Sequence, residues 1–300
     1  MAIRPVFVAE SSGPFCEREY TEFEFFSGFS DKQKKRCIQS LHQAFLQEYP
    51  GNNVLEISSS SEDDLGVRLS AFYLTIPMKS GQKVTVECAF QAGKIFEHGG
   101  PYLDLLETAS RTAKKDARLR NSGKIIRFTF DGEDFPSEPH TLFYNWLYLN
   151  ALQAHPELAE PLMQYDAFTD IAFNPEKSLN CQAEAAAIYV SLRRRGLLED
   201  ALKSQEDFLK IVYLSNLRPL TRTAPQHTVR PAKAAENSKE ETEMPTVYHS
   251  KFQVGDEIIH PKFGKGTILS IAERKNSAVL TVQFSEKKEM DEQWILKNCR

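Results

Sequence analysis

The sequence predicts an α+β protein: a helix-rich domain with a small sheet over residues 1–221, followed by a small all-β barrel over residues 247–300. Apolar residues recur at helical spacing, between short extended segments, through most of the first domain. From residue 251 onward only short, mostly alternating segments occur. Residues 222–246 contain three prolines and no aromatic residue, which is typical of a flexible linker between two domains.

The first elements of the larger domain are predicted from caps and periodicity. We expect a strand at Arg4–Ala9, and Ser30 is a suitable N-cap for a helix over Asp31–Glu48. The apolar residues of this helix that should face the core are Ile38, Leu41, Phe45 and Leu46. Its first turns are basic, which we interpret as a solvated face, with phosphate contact as the alternative. The basic residues are Lys32, Lys34, Lys35 and Arg36.

Turn residues and helical spacing predict the elements that follow. Gly123 and Gly196 are suited to end the helices that precede them. An aromatic-rich helix at His140–Ala154 could offer a surface for stacking a base, but such a stripe is more often core, and we predict core. The other expected elements are strands or extended segments at Asn53–Ile57, Leu69–Ile76, Lys83–Val86 and Lys124–Phe130, and helices at Ser110–Asn121, Ser178–Arg194 and Leu197–Val212.

Four kinds of polar side chain recur at helical spacing in the segment Val86–Tyr102. We expect one helix here, ended by the Gly-Gly-Pro sequence at 99–101. An acid, an amide, an amine and an imidazole then share one face; they are Glu87, Gln91, Lys94 and His98. Spacing alone favours an ordinary solvated face with support between residues four apart.

Composition limits the possible classes of function. The chain is 41% hydrophobic and 26% charged, as in globular proteins, and no apolar run has the length of a membrane span. The N-terminal segment lacks a signal-peptide core, and the five cysteines lie far apart. We therefore predict a reduced, cytoplasmic protein without structural disulfides, membrane association, metal or cofactor.

The charge of the chain is unevenly distributed. Residues 1–220 hold 24 Lys/Arg and 30 Asp/Glu, whereas residues 251–300 hold nine and seven. Phosphate backbones favour basic surfaces, so the larger domain is not expected to bind nucleic acid through its bulk charge. Any nucleic-acid role would need a local site.

Three ordered motifs give the polar stripe another meaning. The segment VECAFQAGKIF at 86–96 resembles the core motif of the NADAR family (YbiA-like), V-E-H-x-x-Q-x-x-K-x. The Glu, Gln and Lys of that motif fall on Glu87, Gln91 and Lys94, and Cys88 replaces the usual His.

Motifs on both sides of this segment strengthen the resemblance. Upstream, LSAFYLTIP resembles the family's L-S-N-F-Y-x-x-P, and downstream, residues 169–193 resemble its D-x-x-W…N-x-L-G-x-x-L-M-x-x-R pattern. The matching residues are Ser70, Phe72, Asp170, Asn180 and Arg193. Ala71 replaces an Asn of the family pattern, and Phe173 stands where Trp is common. Residues 4–198 are most similar to the NADAR branch found as an antitoxin beside a DNA-targeting ADP-ribosyltransferase toxin.

This resemblance implies removal of ADP-ribose from guanine in DNA by hydrolysis of the N-glycosidic bond, which would reverse the cognate toxin's modification. Such a bond breaks through a cationic transition state at the sugar. The resemblance implies that Glu87 stabilises this cation or activates water. Lys94 would protonate the leaving amine, or attack the sugar and form an imine. Asp170 would be the second carboxylate or would hold ribose hydroxyls.

The remaining matched residues are expected to bind substrate. Gln91 and Asn180 suit hydrogen bonds to ribose or phosphate. Ser70 and Phe72 would line the pocket, with Phe72 or Phe173 as a stacking face. Arg4 and Arg193 are candidates for the pyrophosphate. The family motif does not require His98, and a solvated or structural role is expected for it.

The C-terminal segment VGDEIIHPKFGKG resembles the Tudor-like barrel at the end of UvrD/PcrA-type helicases. That resemblance implies docking to transcription machinery or nucleic acid, with Lys262 and Lys265 as candidate contacts; a stabilising appendage is the alternative. The expected strands are Asp256–His260, Gly266–Ala272, Ala278–Phe284 and Glu292–Leu296.

Two other functions remain open at this point. One is a small-molecule N-glycosidase acting on phosphoribosylated intermediates of riboflavin synthesis. The other is a non-catalytic reader of ADP-ribose or ADP-ribosylated DNA. An ADP-ribosyltransferase gene beside this one would favour the antitoxin over the small-molecule enzyme.

Overall fold

The computed structural model describes residues 1–28, 30–176, 178–214, 252–253, 256–260, 264–273, 278–284 and 287–291. The expected linker at 222–246 lies outside the described residues. The chain forms two compact units, Met1–Ala224 and Pro225–Arg300, each of which is described by itself.

Three small sheets organise the described part of the first unit. Its strands are β1 (Ala2–Ala9), β2 (Cys16–Phe23), β3 (Val54–Glu56), β4 (Thr75–Pro77), β5 (Lys83–Thr85), β6 (Lys94–Phe96), β7 (Ile125–Phe130), β8 (Glu133–Pro136) and β9 (Ala167–Thr169). The sheets have the orders β2-β1-β9-β3, β6-β7-β8 and β4-β5. In the first sheet, β3 and β9 run parallel and pair Glu56 with Thr169.

Helices of very different length surround these sheets. They are α1 (Asp31–Glu48), α2 (Asp64–Arg68), α3 (Val86–Ala92), α4 (Ser110–Lys115), α5 (Arg118–Asn121), α6 (Leu142–Gln153), α7 (Pro156–Leu162), α8 (Gln182–Arg194), α9 (Leu198–Ala201) and α10 (Gln205–Phe208), with a 3₁₀ turn at Leu103–Glu107 and a π-helical turn at Leu209–Leu214. In the described part of the chain, no helix combines the length and the apolar character needed to cross a membrane.

The core of the first unit lies around α6 and α8. Alanines at 183, 185, 186 and 187 are fully buried, which lets α8 pack closely against its neighbours. Phe143 of α6 stacks on Phe128 of β7, with ring centroids 4.8 Å apart. The aromatic helix is therefore core, as its sequence predicts. The prediction for α1 is also confirmed, including Ser30, whose side chain accepts a hydrogen bond from the Gln33 N–H.

The helix expected over Val86–His98 is wrong beyond its second turn. Helix α3 ends at Ala92, and Lys94 begins a strand that pairs antiparallel with β7. The carbonyl of Gly93 accepts from the Thr129 N–H at 2.8 Å. A Cβ on Gly93 would lie 2.2 Å from the Thr129 carbonyl oxygen, so only glycine permits this approach. Pairing with β7 therefore replaces the helical hydrogen bonds.

Several other boundaries also differ from the predictions. Residues 69–74 form turns after α2 rather than a strand, and Asp116 separates α4 from α5. The helix expected from Ser178 begins at Gln182, and the helix expected over 197–212 is broken into short turns. Leu46 is 36% exposed and lies outside the core. Strands β8 and β9 escape prediction because four and three residues leave little periodicity to detect. Strand β2 has eight residues but is mostly polar, so it lacks the apolar alternation that indicates a strand.

The second unit contains an antiparallel sheet, as expected for a small all-β domain. Its strands, β10 (Glu257–His260), β11 (Gly264–Glu273), β12 (Ala278–Gln283) and β13 (Lys287–Asp291), pair in chain order. Their buried side chains are Ile258, Ile268, Leu280, Val282 and Phe284. The strand expected at 292–296 lies outside the described residues, as does Lys262.

Candidate active site

A cavity of about 890 Å³ opens in the first unit between α3, β6, β7, α6 and the segment after β9. Eight of the ten predicted site residues line it: Ser70, Phe72, Glu87, Gln91, Lys94, Asp170, Phe173 and Asn180. The polar groups fall on two walls. We call Glu87, Gln91 and Lys94 the motif wall, and Asp170 with Gln182 the carboxylate wall.

A continuous hydrogen-bond chain forms the motif wall. Gln91 Nε2 donates to Glu87 Oε1 at 2.8 Å, and Lys94 Nζ donates to Gln91 Oε1 at 2.7 Å. Glu87 and Gln91 are one helical turn apart on α3, whose N-terminus is capped by Thr85. The amide of Gln91 is therefore held in one orientation by an acceptor on one side and a donor on the other. Glu87 and Gln91 are only 4% and 6% exposed.

Burial changes the protonation of Lys94. Its pKa is lowered to about 8, chiefly by desolvation and further by the nearby Lys114, while Glu87 acts in the opposite direction. The ammonium also lies 4.4 Å from the centre of the Phe90 ring. A lysine in this state exchanges its proton close to neutral pH, as a catalytic amine requires.

A second amine approaches the motif wall from α4. Lys114 Nζ lies 3.9 Å from Glu87 Oε2 and 5.1 Å from the centre of the Phe72 ring. The other end of α4 is anchored, because Ser110 Oγ donates to the Phe72 carbonyl at 3.0 Å. One carboxylate oxygen of Glu87 thus faces an amide and the other faces a cation.

Gln182 joins the carboxylate wall to the rest of the site. Its Nε2 donates to Asp170 Oδ2 at 3.0 Å and to the Ile57 carbonyl, and its Oε1 accepts from the Ala71 N–H at 2.8 Å. The Ala71 carbonyl in turn accepts from the Glu87 N–H at 2.9 Å. The two walls are therefore connected through the backbone of Ala71, which replaces the Asn of the family pattern.

A second buried carboxylate, Glu56, lies behind Asp170. Its oxygens accept from Thr169 Oγ1 at 2.6 Å and from the Ile171 N–H at 2.9 Å. His42 Nε2 lies 2.8 Å from the same Thr169 hydroxyl. Because that hydroxyl donates to Glu56, Nε2 must be the donor from His42. Burial lowers the pKa of His42 to about 4, so its ring is neutral near pH 7.

The pKa of both carboxyl groups is raised above the ordinary value. Desolvation is the main cause for Asp170, and the charge of Glu56 adds to it. Desolvation also raises the pKa of Glu56, against the hydrogen bonds from Thr169 and Ile171. A proton is consequently held on this wall at a higher pH than an isolated aspartate would hold it.

Aromatic and amide groups complete the lining. Tyr144 and Phe173 are buried side chains that reach the cavity, and Phe173 packs edge-on against Phe7. The Asn180 Oδ1 atom is buried and has no hydrogen-bond partner among the residues that the structure describes. A buried acceptor without a partner loses free energy unless a ligand or water satisfies it.

A family model described as "DarT1-associated NADAR antitoxin" matches residues 2–220. The chain belongs to this family. Membership makes the protein an antitoxin, a hydrolase of the glycosidase kind, and the partner of a cognate DarT1 toxin. No curated protein matches the chain with significant similarity.

Four positions of this NADAR antitoxin lie away from the cavity. Arg4, on β1, directs Nη1 to the Ile3 carbonyl, and Arg193 pairs with Glu160 beside a separate groove. The structure therefore does not bring either arginine to the site, and the expected pyrophosphate role is not supported by their positions. His98 is exposed in the turn after β6. Cys88, which stands where the family pattern has His, donates to the Thr108 carbonyl on the buried side of α3.

The site also contains residues that the sequence motifs do not indicate. Gln182, Lys114 and Tyr144 line the cavity, and Glu56 lies behind Asp170. A carboxylate inside a short apolar strand is a detectable signal, because buried acids are rare. Gln182 and Lys114 give no such signal, since only the packing of α8 and α4 brings them to the cavity.

Metal chemistry is a separate question for this site. Among the described residues, no three His, Cys, Asp or Glu side chains are grouped as metal ligands. A reaction without metal or cofactor stays a prediction.

Proposed function

We propose that the antitoxin is an ADP-ribosylglycohydrolase that hydrolyses the N-glycosidic bond between ADP-ribose and guanine in DNA. The observation that supports it is the buried Glu87–Gln91–Lys94 chain, which faces a cavity opposite a carboxylate of raised pKa. A site of about 890 Å³ is within the range that encloses ligands of nucleotide size.

Glu87 acts in this proposal on the anomeric carbon. As that carbon gains positive charge, the nearby carboxylate stabilises it or takes a proton from the attacking water. Gln91 and Lys114 hold the carboxylate from two sides. This support fixes the oxygens where the charge develops, so little reorganisation is needed during the reaction.

The leaving guanine amine needs a proton, and the site offers two sources. Lys94 is one, since burial lowers its pKa to about 8. Asp170 is the other, because its raised pKa keeps it protonated at higher pH. If Asp170 supplies the proton, the neutral amine of Lys94 is free to attack the sugar and form an imine after ring opening.

Substrate recognition is proposed to come from the remaining lining. Asn180 Oδ1, an acceptor without a partner in the described part of the chain, is suited to a ribose hydroxyl. Phe72 and Phe173 offer stacking faces, and Ser70 offers a hydroxyl. In place of Arg4 and Arg193, we assign the pyrophosphate to Lys114 and Lys124, which line the cavity together with Lys94. Ammonium groups bind phosphate oxygens as point charges.

The test is incubation of the protein with a deoxyoligonucleotide carrying ADP-ribosyl-guanine. We expect free ADP-ribose and intact guanine, with no product from Glu87→Gln. Release only from a phosphoribosylated riboflavin precursor would select the small-molecule enzyme. Binding of ADP-ribosylated DNA without any turnover would select the reader.

The role of Lys94 is decided by a pH profile together with borohydride trapping. We expect an inflection near pH 8 that disappears in Lys94→Ala. A rate that falls above this pH, with no trapped adduct, assigns Lys94 as the acid. A rate that rises through it, with a covalent adduct at Lys94 after reduction, assigns the nucleophile.

We further propose a modular organisation, with a catalytic domain at 1–221, a linker at 222–246 and a Tudor-like barrel at 247–300. The barrel would contact transcription machinery or nucleic acid, with Lys262 and Lys265 as contacts. Limited proteolysis that leaves a stable first domain after cleavage within 222–246 would support it. Uniform resistance to cleavage there would contradict it.

A further inference from the structure

One short segment of the acidic first domain is strongly basic. Residues 110–124 hold six Lys/Arg and one Asp, although residues 1–220 as a whole have more acids than bases. The segment comprises α4, α5 and the turn into β7, and it forms one side of the cavity mouth through Lys114 and Lys124. A local positive field therefore lies beside the cavity, against the charge of the domain around it.

Most of these cations are not used inside the protein. Arg118 is held by Asp104 and Asp116, at 2.6 and 2.9 Å. Arg111, Lys115 and Arg120 are exposed, and none of them forms an ion pair with a described carboxylate. Guanidinium and ammonium groups left exposed without a partner are available to an external anion.

Helix α4 connects these cations to the reaction site. Arg111, Lys114 and Lys115 are three and four residues apart and share one side of the helix. Lys114 reaches inward to Glu87, while Arg111 and Lys115 remain at the surface. A polyanion lying along this side of α4 would place one charged group at the cavity. The charged groups next to it along the polymer would then contact Arg111 and Lys115.

The depth of the site selects the form of that polyanion. Glu87 and Gln91 are nearly inaccessible to solvent at the base of the cavity. A base stacked inside a duplex cannot reach such groups, so the nucleotide must come from a single strand or be extruded from the helix. Single strands are bound elsewhere by basic tracks that follow the phosphate backbone.

We propose that Arg111 and Lys115, continued by Arg120, form a track that binds the backbone phosphates of single-stranded DNA on either side of the modified nucleotide. This inference rests on the proposed function for the identity of the nucleotide in the cavity. It assigns binding of single-stranded DNA to the first domain, although the bulk charge of that domain predicts no binding of nucleic acid.

The test measures binding of an unmodified, fluorescently labelled single-stranded deoxyoligonucleotide to the full chain over a range of salt concentrations. In Arg111→Gln/Lys115→Gln we expect affinity to fall about tenfold. The plot of log affinity against log salt should become shallower by about 1.4, since each phosphate contact on a single strand contributes about 0.7. The matched control is Lys83→Gln/Lys210→Gln, which removes two exposed cations outside the segment and should bind like the unchanged protein.

A second readout is turnover of the ADP-ribosylated oligonucleotide, where the track variant should raise KM and retain kcat. Wild-type binding by the track variant overturns the proposal. Equal weakening in the control also overturns it, because net charge would then explain the affinity. Weaker binding of the toxin with unchanged DNA binding would assign the surface to a protein partner instead and would overturn it as well.

The two proposals fail separately. Binding of the unmodified strand requires no hydrolysis, so a protein without turnover on ADP-ribosylated DNA would remove the proposed function and leave the binding result valid. Full turnover by the unchanged protein, with no effect of the track variant on binding or KM, would support the proposed function and overturn the track.

Discussion

The two walls of the cavity are both buried, but their ionisable groups have opposite neighbours. On the motif wall, Lys94 faces the carboxylate of Glu87, which opposes the loss of its charge. On the carboxylate wall, Asp170 faces a second acid, Glu56, which adds to the effect of burial. Desolvation disfavours the charged form on both walls, and the neighbour decides how far each group is displaced.

The different neighbours suit the amine and the acid to different steps of proton transfer. An amine beside a carboxylate stays near its titration point, so both its forms are available around pH 8. An acid beside another acid keeps its proton to higher pH and becomes a donor. Pairs of groups whose environments shift their pKa values in opposite directions are a common basis for acid–base catalysis.

Disrupting the motif wall should have the largest effect. Glu87→Gln and Lys94→Ala should each lower turnover of ADP-ribosylated DNA by roughly 10²–10⁴-fold, because each removes the acid or base that we propose acts at the reacting centre. Steady-state kinetics with circular dichroism would show lost rate in a folded protein. Near wild-type rates in both variants would refute the assignment.

Removing the second acid, Glu56, should change the pKa on the carboxylate wall and leave the motif wall unaffected. Glu56→Gln should lower the pKa of Asp170, so the pH above which turnover falls should decrease by about one unit, a change equivalent to about 1.4 kcal/mol. A pH–rate profile measures this shift. The control is Glu62→Gln, an acid on the surface that bonds to Gln39. Identical profiles for both variants would show that Glu56 does not act on Asp170.

The lowered pKa of Lys94 has a cost in stability with a defined sign. Folding disfavours its charged form, so the free energy of unfolding should rise with pH from about 8 to the ordinary lysine value. The pKa change from 10.5 to about 8 corresponds to about 3.4 kcal/mol, and loss of the hydrogen bond to Gln91 Oε1 costs about 1–2 kcal/mol, so Lys94→Met should stabilise the protein by about 2 kcal/mol at pH 7. The gain should disappear by about pH 10.5. Denaturant unfolding at both pH values is the measurement, with Lys83→Met as an exposed control; equal stability of the Lys94 variant and wild type at pH 7 would contradict the prediction.

Deleting residues 247–300 should have the smallest effect on chemistry. Both walls belong to the first unit, so turnover of short modified oligonucleotides should stay nearly unchanged. Protection of cells against the toxin should weaken if the barrel recruits a partner. A truncated protein that is folded but inactive on short oligonucleotides would show that the second unit completes the site.

The sequence by itself determined the chemical groups of the motif wall and several of the elements around it. Helix α1 follows directly from a cap and an apolar stripe, because those signals are local. Glu87, Gln91 and Lys94 were also identified from their motif. The prediction of one helix carrying all three residues is wrong, since Gly93 allows the chain to leave α3 and pair with β7.

Only the tertiary structure decided which distant groups share the cavity. Glu56 and Thr169 are more than a hundred residues apart and become neighbours because β3 and β9 pair in parallel. Burial raises the pKa of Asp170, and the charge of Glu56 on the paired strand adds to the effect. Lys114 reaches Glu87 because Ser110 anchors α4 to the Phe72 carbonyl. The resemblance makes Arg4 and Arg193 candidates for the site, whereas the fold holds both elsewhere. Local signals specify the groups, whereas strand pairing and burial specify their partners and protonation.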